Sequence, residues 1–221
     1  MGILRWPTFN DWVQDENSIS QDEAFVIRQI VEFYKYKSFL DIGTHKLYVP
    51  LCVWELVVEE YGGEIDTVDF IPNFGSAYHP KSIEKGFTKA ELWHIHKKNE
   101  RVVKYHHNIN LFTCGSDSFF RKNKKTYDCI HIDGDHHYEQ VKKDFFNALV
   151  ALKDDGTIIM HDANLIHYGV HQFVHSNLKF GYHRYLHDTE RGQAIIRLQP
   201  LADELITECG LIDFESFANN S

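Results

Sequence analysis

The fold is decided by residues 127–138, which read YDCIHIDGDHHY. A short β-branched strand there runs directly into a cluster of two carboxylates and two imidazoles. Residues 156–162, GTIIMHD, repeat this design, because a second apolar strand ends on a His-Asp pair. Open α/β sheets bind ligands just beyond the carboxyl ends of their strands, and neighbouring carboxylates suit a hard divalent cation. We therefore expect the chemistry of this protein at Asp133, His136 and Asp162.

Composition limits the classes of protein to consider. A chain of 221 residues with 43% hydrophobic and 25% charged residues is typical of one globular domain. The net charge of -9 argues against a nucleic-acid partner or an anionic membrane surface. No apolar run reaches the roughly 18 residues that span a bilayer. Four scattered cysteines without a C-x-x-C pair indicate a reducing compartment, so the expected location is the cytoplasm.

Strands and helices alternate along the chain, which predicts a parallel sheet with crossover helices. We predict a doubly wound, mostly parallel α/β sheet of the Rossmann-like type, with seven strands and an antiparallel C-terminal hairpin. A single domain over 1–221 is expected, with a helical N-terminal extension, a core and a tail at 1–37, 38–198 and 199–221. The predicted strands lie at 39–43, 65–70, 109–114, 128–132 and 157–160, followed by the hairpin at 182–186 and 194–198.

Two further features are candidate walls for a bound substrate. Residues 73–87 are polar and contain glycine, which is typical of a loop over a site. His167, His171 and His175 have the spacing of one helix face and are interpreted as a solvated or substrate-facing stripe. His131 and His161 are interpreted as packed or hydrogen-bonded residues, because in a regular strand His161 points away from Asp162.

The order of elements, with acids at the ends of strands one, two, four and five, resembles that of the class I S-adenosylmethionine-dependent methyltransferases. Residues 130–162 look most like the small metal-dependent O-methyltransferases of that class and the related branch that modifies sugars and antibiotics. The resemblance covers about 38–198. It implies S-adenosylmethionine as the cofactor. The residues that it implies at the cofactor are Asp41, Gly43, Thr44, Asp69, Gly115, Ser116 and Asp117.

The resemblance also implies a role for each residue at the two later strand ends. Asp133 matches the first metal ligand, and His136 stands where the family has a lysine that acts as general base. Asp162 matches a second ligand, and Mg²⁺ is the expected ion. Ala163 stands where the family has the next metal ligand. Asn164, His161 or a water could take that place, and Asn164 is the candidate ligand.

The implied reaction is methyl transfer to a hydroxyl of a small molecule or sugar, with the oligomeric state left open, a homo-oligomer included. A metal-dependent hydrolase is one alternative, because His131-x-Asp133-x-Asp135-His136 is similar to a His-x-His-x-Asp-His ligand motif. The other alternative is a binding module that has lost its cofactor. Leu47, Val49 and Ala163 favour that alternative, because each departs from the family pattern at a position that the family uses for the cofactor or the metal.

Overall fold

One mixed sheet organises the part of the chain that the computed structural model describes, residues 19–44, 48–69, 108–177 and 182–214. Its strands are β1 (Ser38–Ile42), β2 (Glu64–Val68), β3 (Ile109–Phe112), β4 (Tyr127–Ile132), β5 (Leu152–His161), β6 (His183–His187), β7 (Gln193–Arg197) and β8 (Leu211–Asp213). Their order across the sheet is β3-β2-β1-β4-β5-β7-β6-β8. The first five strands pair in parallel, and the last three are joined by antiparallel pairings.

The predicted fold class is confirmed, and the structure adds one strand to the seven expected. β8 is only three residues long and pairs with β6 at the edge of the sheet. No pattern in the sequence indicates this strand, because so short a segment shows no alternation of apolar and polar residues. The predicted loop at 73–87, the predicted helix after it and Leu47 lie outside the described residues.

The helices in the described residues pack on both faces of the sheet. They are α1 (Gln21–Tyr34), α2 (Tyr48–Trp54, continued by a π-helical stretch Glu55–Glu60), α3 (Ser116–Lys122), α4 (Tyr138–Ala151), α5 (Gly169–Asn177) and α6 (Asp203–Glu208). One core cluster joins α1 and α2 to the first face of the sheet, around Phe39 and Ile65. A second cluster joins α4 and α5 to the opposite face, around Leu40 and Phe145.

Helix α1 begins with a local device that also determines where one acid lies. Ser20 is the N-cap, and its hydroxyl accepts from the amide of Glu23. The carboxylate of Glu23 in turn accepts from the amide of Ser20, which completes a capping box. Helix α1 belongs to the predicted N-terminal extension, yet Ala24 and Ile27 are fully buried in the first core cluster.

The strand order places the site. The chain order reverses at β1, which lies between β2 and β4, so the helices after β1 and β4 lie on opposite faces of the sheet. A crevice opens at such a reversal beyond the carboxyl ends of the strands. Among the described residues, no helix combines the length and the apolar character that a membrane crossing requires.

Candidate active site

A cleft of about 530 Å³ lies beyond the carboxyl ends of β1, β2, β4 and β5. This volume is in the usual range for a cofactor or small-molecule site. Its lining falls into two groups of residues. The first group, the cofactor end, comprises Gly43, Asp69, Gly115, Ser116, Asp117, Gln140 and Asp144. The second group, the carboxylate end, comprises Asp133, His136, Asp162, Tyr168 and Arg191.

The turn after β1 forms the floor at the cofactor end. Gly43 has a φ of +102°, a conformation that glycine adopts without strain. A Cβ there would lie 2.0 Å from the carbonyl oxygen of Asp133, so only glycine permits the turns after β1 and β4 to meet. The amide of Asp133 also donates to the carbonyl of Ile42, at 2.8 Å. The cofactor end and the carboxylate end are therefore rigidly connected through backbone.

Asp41 and Thr44, two of the predicted cofactor residues, lie behind the cleft and do not line it. Asp41 is 1% exposed, and its carboxylate contacts His131 Nδ1 at 2.9 Å and accepts from the Thr67 hydroxyl at 2.9 Å. The Thr44 hydroxyl is bonded to that of Thr67. Burial raises the pKa of Asp41, and the bonds from His131 and Thr67 offset only part of this effect. These residues support the turn rather than the surface of the cleft.

The remaining predicted cofactor residues line the cleft. The amide of Asp69 donates to the carbonyl of Phe112, which holds the end of β2 beside the end of β3. Gly115 is the N-cap of α3, and Ser116 and Asp117 form its first turn. The start of a helix therefore lies at three of the residues that the resemblance assigns to the cofactor.

Sequence reasoning missed Asp144, a buried carboxyl at the cofactor end. Its Oδ1 accepts from the Gln140 amide at 3.0 Å, and the residue is 1% exposed. Burial raises the pKa of Asp144 to about 6, although bonds from Ser116 and Gln140 oppose the shift. A signal was available, because Asp144 follows Val141 by three residues and therefore lies on the apolar face of α4.

At the carboxylate end the structure brings together the three residues expected to carry the chemistry. One ligand atom each from Asp133, His136 and Asp162 lie within 4.8 Å of one another. His136 Nε2 is 2.7 Å from Asp162 Oδ2 and 3.6 Å from Asp133 Oδ1. The ring of His136 packs against that of Tyr168, with centroids 4.3 Å apart. The backbone of His136 is fixed as well, because its carbonyl accepts from the amide of Gly169.

The backbone at Asp162 departs from a regular strand, which brings the carboxylate of Asp162 close to the ring of His161. Asp162 has a φ of +60°, a left-handed conformation that aspartate tolerates better than most residues. His161 Nδ1 lies 3.3 Å from Asp133 Oδ1 and 3.3 Å from Asp162 Oδ1. The prediction that His161 is a buried, bonded residue is confirmed. The expected separation from Asp162 is wrong.

Asn164, the predicted third metal ligand, does not reach this cluster. Its amide donates to Asp188 Oδ1 and to the carbonyl of Thr189, in the turn between β6 and β7. The same turn delivers an unpredicted residue, because Arg191 donates to Asp162 Oδ1 at 3.0 Å. Val49 is buried in α2 away from the cleft lining, and Ala163 is buried with its amide bonded to Gly192.

The histidine stripe is only partly as predicted. His171 and His175 share a face of α5, with ring centroids 4.2 Å apart, whereas His167 lies in the turn before that helix. The hydrolase-like motif is not assembled either. His131 is fully buried and contacts Asp41, so it does not face the cleft with Asp133 and His136.

The charges at the carboxylate end are balanced. Burial raises the pKa of Asp133 and of Asp162, but their histidine neighbours outweigh burial and hold both pKa values below the usual range. Burial lowers the pKa of His136, but the two carboxylates outweigh it and raise that pKa to about 9. The carboxylates are therefore ionised at neutral pH, and His136 carries a proton beside them.

The donor set at this end fits a divalent cation. His136 Nε2 and Asp162 Oδ2 are buried and lie 2.7 Å apart, but their contact does not have the angles of a hydrogen bond, and neither atom has another hydrogen-bond partner among the described residues. Buried polar atoms normally find such partners, so two unsatisfied donor and acceptor atoms at one point indicate that a further group belongs there. The two carboxylates are suitable ligands for a divalent cation, and the imidazole of His136 lies beside them.

Comparisons with known proteins identify the family to which the chain belongs. A family model described as a methyltransferase domain matches residues 40–163, more than half of the chain. No curated sequence matches significantly. The chain therefore belongs to this methyltransferase domain family, and its class is that of the class I S-adenosylmethionine-dependent methyltransferases.

Solved structures share the fold at low sequence identity. A methyltransferase from Podospora anserina, solved with bound S-adenosylhomocysteine, is 16% identical, with a TM-score of 0.61 over 84% of this chain and 81% of that one. The O-methyltransferase TomG of tomaymycin synthesis from Streptomyces achromogenes, in complex with S-adenosylmethionine, is 9% identical, with a TM-score of 0.58 and 86% of each chain covered. An O-methyltransferase from Bacillus cereus, in complex with S-adenosylhomocysteine, is 12% identical, with a TM-score of 0.58 and 84% of each chain covered.

Proposed function

We propose that the protein is a divalent-metal-assisted O-methyltransferase that transfers the methyl group of S-adenosylmethionine to a hydroxyl of a small molecule or sugar. The observation that carries this proposal is the cluster of Asp133, His136 and Asp162 at one end of the cleft. Similar solved structures are O-methyltransferases with bound cofactor or cofactor product, which supports the same reaction. All four cysteines are free, which favours a reducing compartment such as the cytoplasm.

The cofactor end provides the contacts for S-adenosylmethionine. Asp69 is at the end of β2, where a carboxylate can accept hydrogen bonds from both ribose hydroxyls. Gly43 leaves room for the methionine part to approach the backbone. Gly115, Ser116 and Asp117 form a helix start that borders the adenine. Asp41 and Thr44 hold the turn of Gly43 from behind.

The carboxylate end provides the contacts for a cation and for the acceptor hydroxyl. Asp133 and Asp162 would hold Mg²⁺ or a similar ion, with His136 Nε2 at the same point. When bound, the ion supplies Lewis acidity that lowers the pKa of an acceptor hydroxyl, and its charge offsets the two carboxylates that keep the proton on His136.

The protein's own residues then perform three tasks. Arg191 holds the carboxylate of Asp162 by a hydrogen bond to its Oδ1, and His161 Nδ1 lies 3.3 Å from the same oxygen. Tyr168 packs on the ring of His136 and limits its orientation. With a cation's charge offsetting the two carboxylates, His136 would release to solvent the proton that it otherwise carries, and could then accept the proton that leaves the acceptor hydroxyl. Orientation of the hydroxyl in line with the methyl group should contribute most of the acceleration, because the sulfonium is already a good leaving group.

The test is a calorimetric titration of the purified protein with S-adenosylmethionine and S-adenosylhomocysteine, with and without Mg²⁺. The release of S-adenosylhomocysteine is then followed with a catechol, a simple phenol and a free sugar as acceptors. Micromolar cofactor binding and Mg²⁺-dependent turnover of one acceptor are expected. An active enzyme that is indifferent to Mg²⁺ and to chelation would contradict the metal role, and no cofactor binding under either condition would contradict the proposal as a whole.

A further inference from the structure

A buried carboxylate of the N-terminal helix reaches the rear of the carboxylate end. Glu23 is 1% exposed, and its Oε2 lies 3.2 Å from Nε2 of His161, which is also fully buried. On the other side of the same ring, Nδ1 faces Asp133 and Asp162 at 3.3 Å each. The imidazole of His161 is therefore held between Glu23 behind the site and the two site carboxylates in front.

Glu23 also reaches the site by a second route. The hydroxyl of Thr189, in the turn between β6 and β7, donates to Glu23 Oε1 at 2.6 Å. The same hydroxyl accepts from the amide of Gly192 at 2.8 Å, which holds the turn that carries Arg191. Arg191 donates to Asp162 Oδ1. One side chain thus connects helix α1 to Asp162 through His161 and, independently, through this turn.

The helix cap alone does not account for the position of Glu23. A capping box needs one oxygen at the third helical position, and glutamine serves it as well as glutamate. Burying a carboxylate is costly unless charged or polar partners compensate for it. Burial raises the pKa of Glu23, but the bonds and charge of His161 outweigh it and lower that pKa to about 2. Glu23 is therefore an ionised group whose compensating partners lie at the site.

We propose that Glu23 is a positioning residue, which holds His161 and the turn of Arg191 so that the carboxylates of Asp133 and Asp162 converge on the cleft. The inference rests on the proposed function, because the cation is proposed to bind where these two carboxylates converge. Without Glu23 the imidazole would have no partner on Nε2 among the described residues, and its orientation against the two site carboxylates would not be fixed.

The test compares Glu23→Gln with Ser20→Ala. Glutamine keeps the size of the side chain and the helix cap but removes the charge, whereas Ser20→Ala removes half of the cap and leaves Glu23 on His161. Binding of Mn²⁺ is measured by electron paramagnetic resonance, binding of S-adenosylmethionine by calorimetry and Tm by thermal unfolding. We expect Glu23→Gln to weaken Mn²⁺ binding by about tenfold or more, with cofactor affinity close to wild type. Ser20→Ala should lower Tm without changing either affinity.

His161→Gln and the double variant separate positioning from general loss of stability. Glu23 is proposed to act partly through His161, so the double variant should lose less Mn²⁺ affinity than the two single losses combined would predict. Wild-type Mn²⁺ affinity in Glu23→Gln would overturn the inference, and so would an equal loss in Ser20→Ala.

A second readout keeps this inference distinct from the proposed function. If the wild-type protein binds no Mn²⁺, the proposed metal site fails, and the contact itself is judged by the downfield proton resonance of the His161 ring N–H. A glutamine oxygen could still accept from this N–H, so this readout uses Glu23→Ala. Loss of that resonance in Glu23→Ala but not in Ser20→Ala would support the positioning role. Its persistence in Glu23→Ala would contradict it.

Discussion

Two histidine–aspartate groups flank the end of β4, and they differ in how far the histidine side chain is exposed. In the rear pair, His131 Nδ1 contacts Asp41 Oδ1 at 2.9 Å, and both side chains are essentially without exposure. In the front group, His136 Nε2 contacts Asp162 Oδ2 at 2.7 Å, and the histidine side chain is 37% exposed to the cleft. The residue types are the same and the histidines are five positions apart, so residue chemistry alone does not distinguish a support from a site.

The end of the strand explains the difference. His131 lies within β4, where its side chain must enter one of the two covered faces of the sheet. His136 comes after the strand, where the chain has left the sheet and no crossover helix covers the crevice. The same imidazole–carboxylate contact is therefore structural in the first position and open to a ligand in the second. The predictions below test this assignment in order of decreasing effect.

Removal of one site carboxylate should have the largest effect on activity. Asp162→Asn keeps the size of the side chain, and asparagine also tolerates the φ of +60° at this position. We expect Mn²⁺ affinity and Mg²⁺-dependent methyl transfer to fall by about 100-fold or more, because one charged ligand is lost. Mn²⁺ titration and cofactor-product release measure the two effects. Retention of both would place the chemistry elsewhere in the cleft.

The rear pair should affect stability and not binding. His131→Leu removes the contact with Asp41 and should lower the free energy of unfolding by about 1–3 kcal/mol. His131→Asn is the matched control, because its amide can replace the Nδ1 donor and should recover part of the loss. Urea unfolding measures both variants. A loss of Mn²⁺ binding in folded His131→Leu protein would remove the distinction between the two groups.

Asp144 sharpens the comparison, because its described partners are an amide and a hydroxyl and it is not paired with a histidine. Its pKa is raised to about 6 by burial, so the folded state binds the proton more tightly than the unfolded state. The stabilisation that comes from the tighter binding of this proton is complete below about pH 4 and is lost as the pH rises through about 6.

Asp144→Asn should remove this loss of stability at higher pH, because asparagine does not titrate. Relative to wild type, the variant should gain up to about 3 kcal/mol of unfolding free energy between pH 4 and pH 7, because each pKa unit is worth about 1.4 kcal/mol. Urea unfolding across this range measures the difference between the two proteins. A constant difference across the range would show that the carboxyl of Asp144 is not perturbed in the folded state.

Asn164 should give the smallest effect. Because its amide serves the turn between β6 and β7, Asn164→Ala should leave Mn²⁺ affinity close to wild type and cost about 1–2 kcal/mol of stability. Calorimetry and thermal unfolding are sufficient to check this. A large loss of Mn²⁺ binding would restore the ligand role that the sequence resemblance assigned to Asn164.

Local patterns predicted most of the fold and the centre of the site. Apolar runs that end in carboxylates identified β4 and β5, and the helical N-terminal extension was expected where α1 lies. The same patterns could not reveal the role of Glu23, which lies 138 positions from its partner His161. A contact over that distance has no local signal, because an acid in the first turn of a helix is also typical of an ordinary cap.

The sequence by itself determined that this chain forms a doubly wound sheet and that Asp133, His136 and Asp162 meet at its edge. Both follow from hydrophobic periodicity and from the geometry of parallel strands, which brings successive strand ends to one side. Only the tertiary structure decided that Asp41 supports the cleft from behind, that Asn164 serves a turn and that Arg191 joins the carboxylates. Those outcomes depend on backbone angles such as that of Asp162 and on packing between elements distant in sequence.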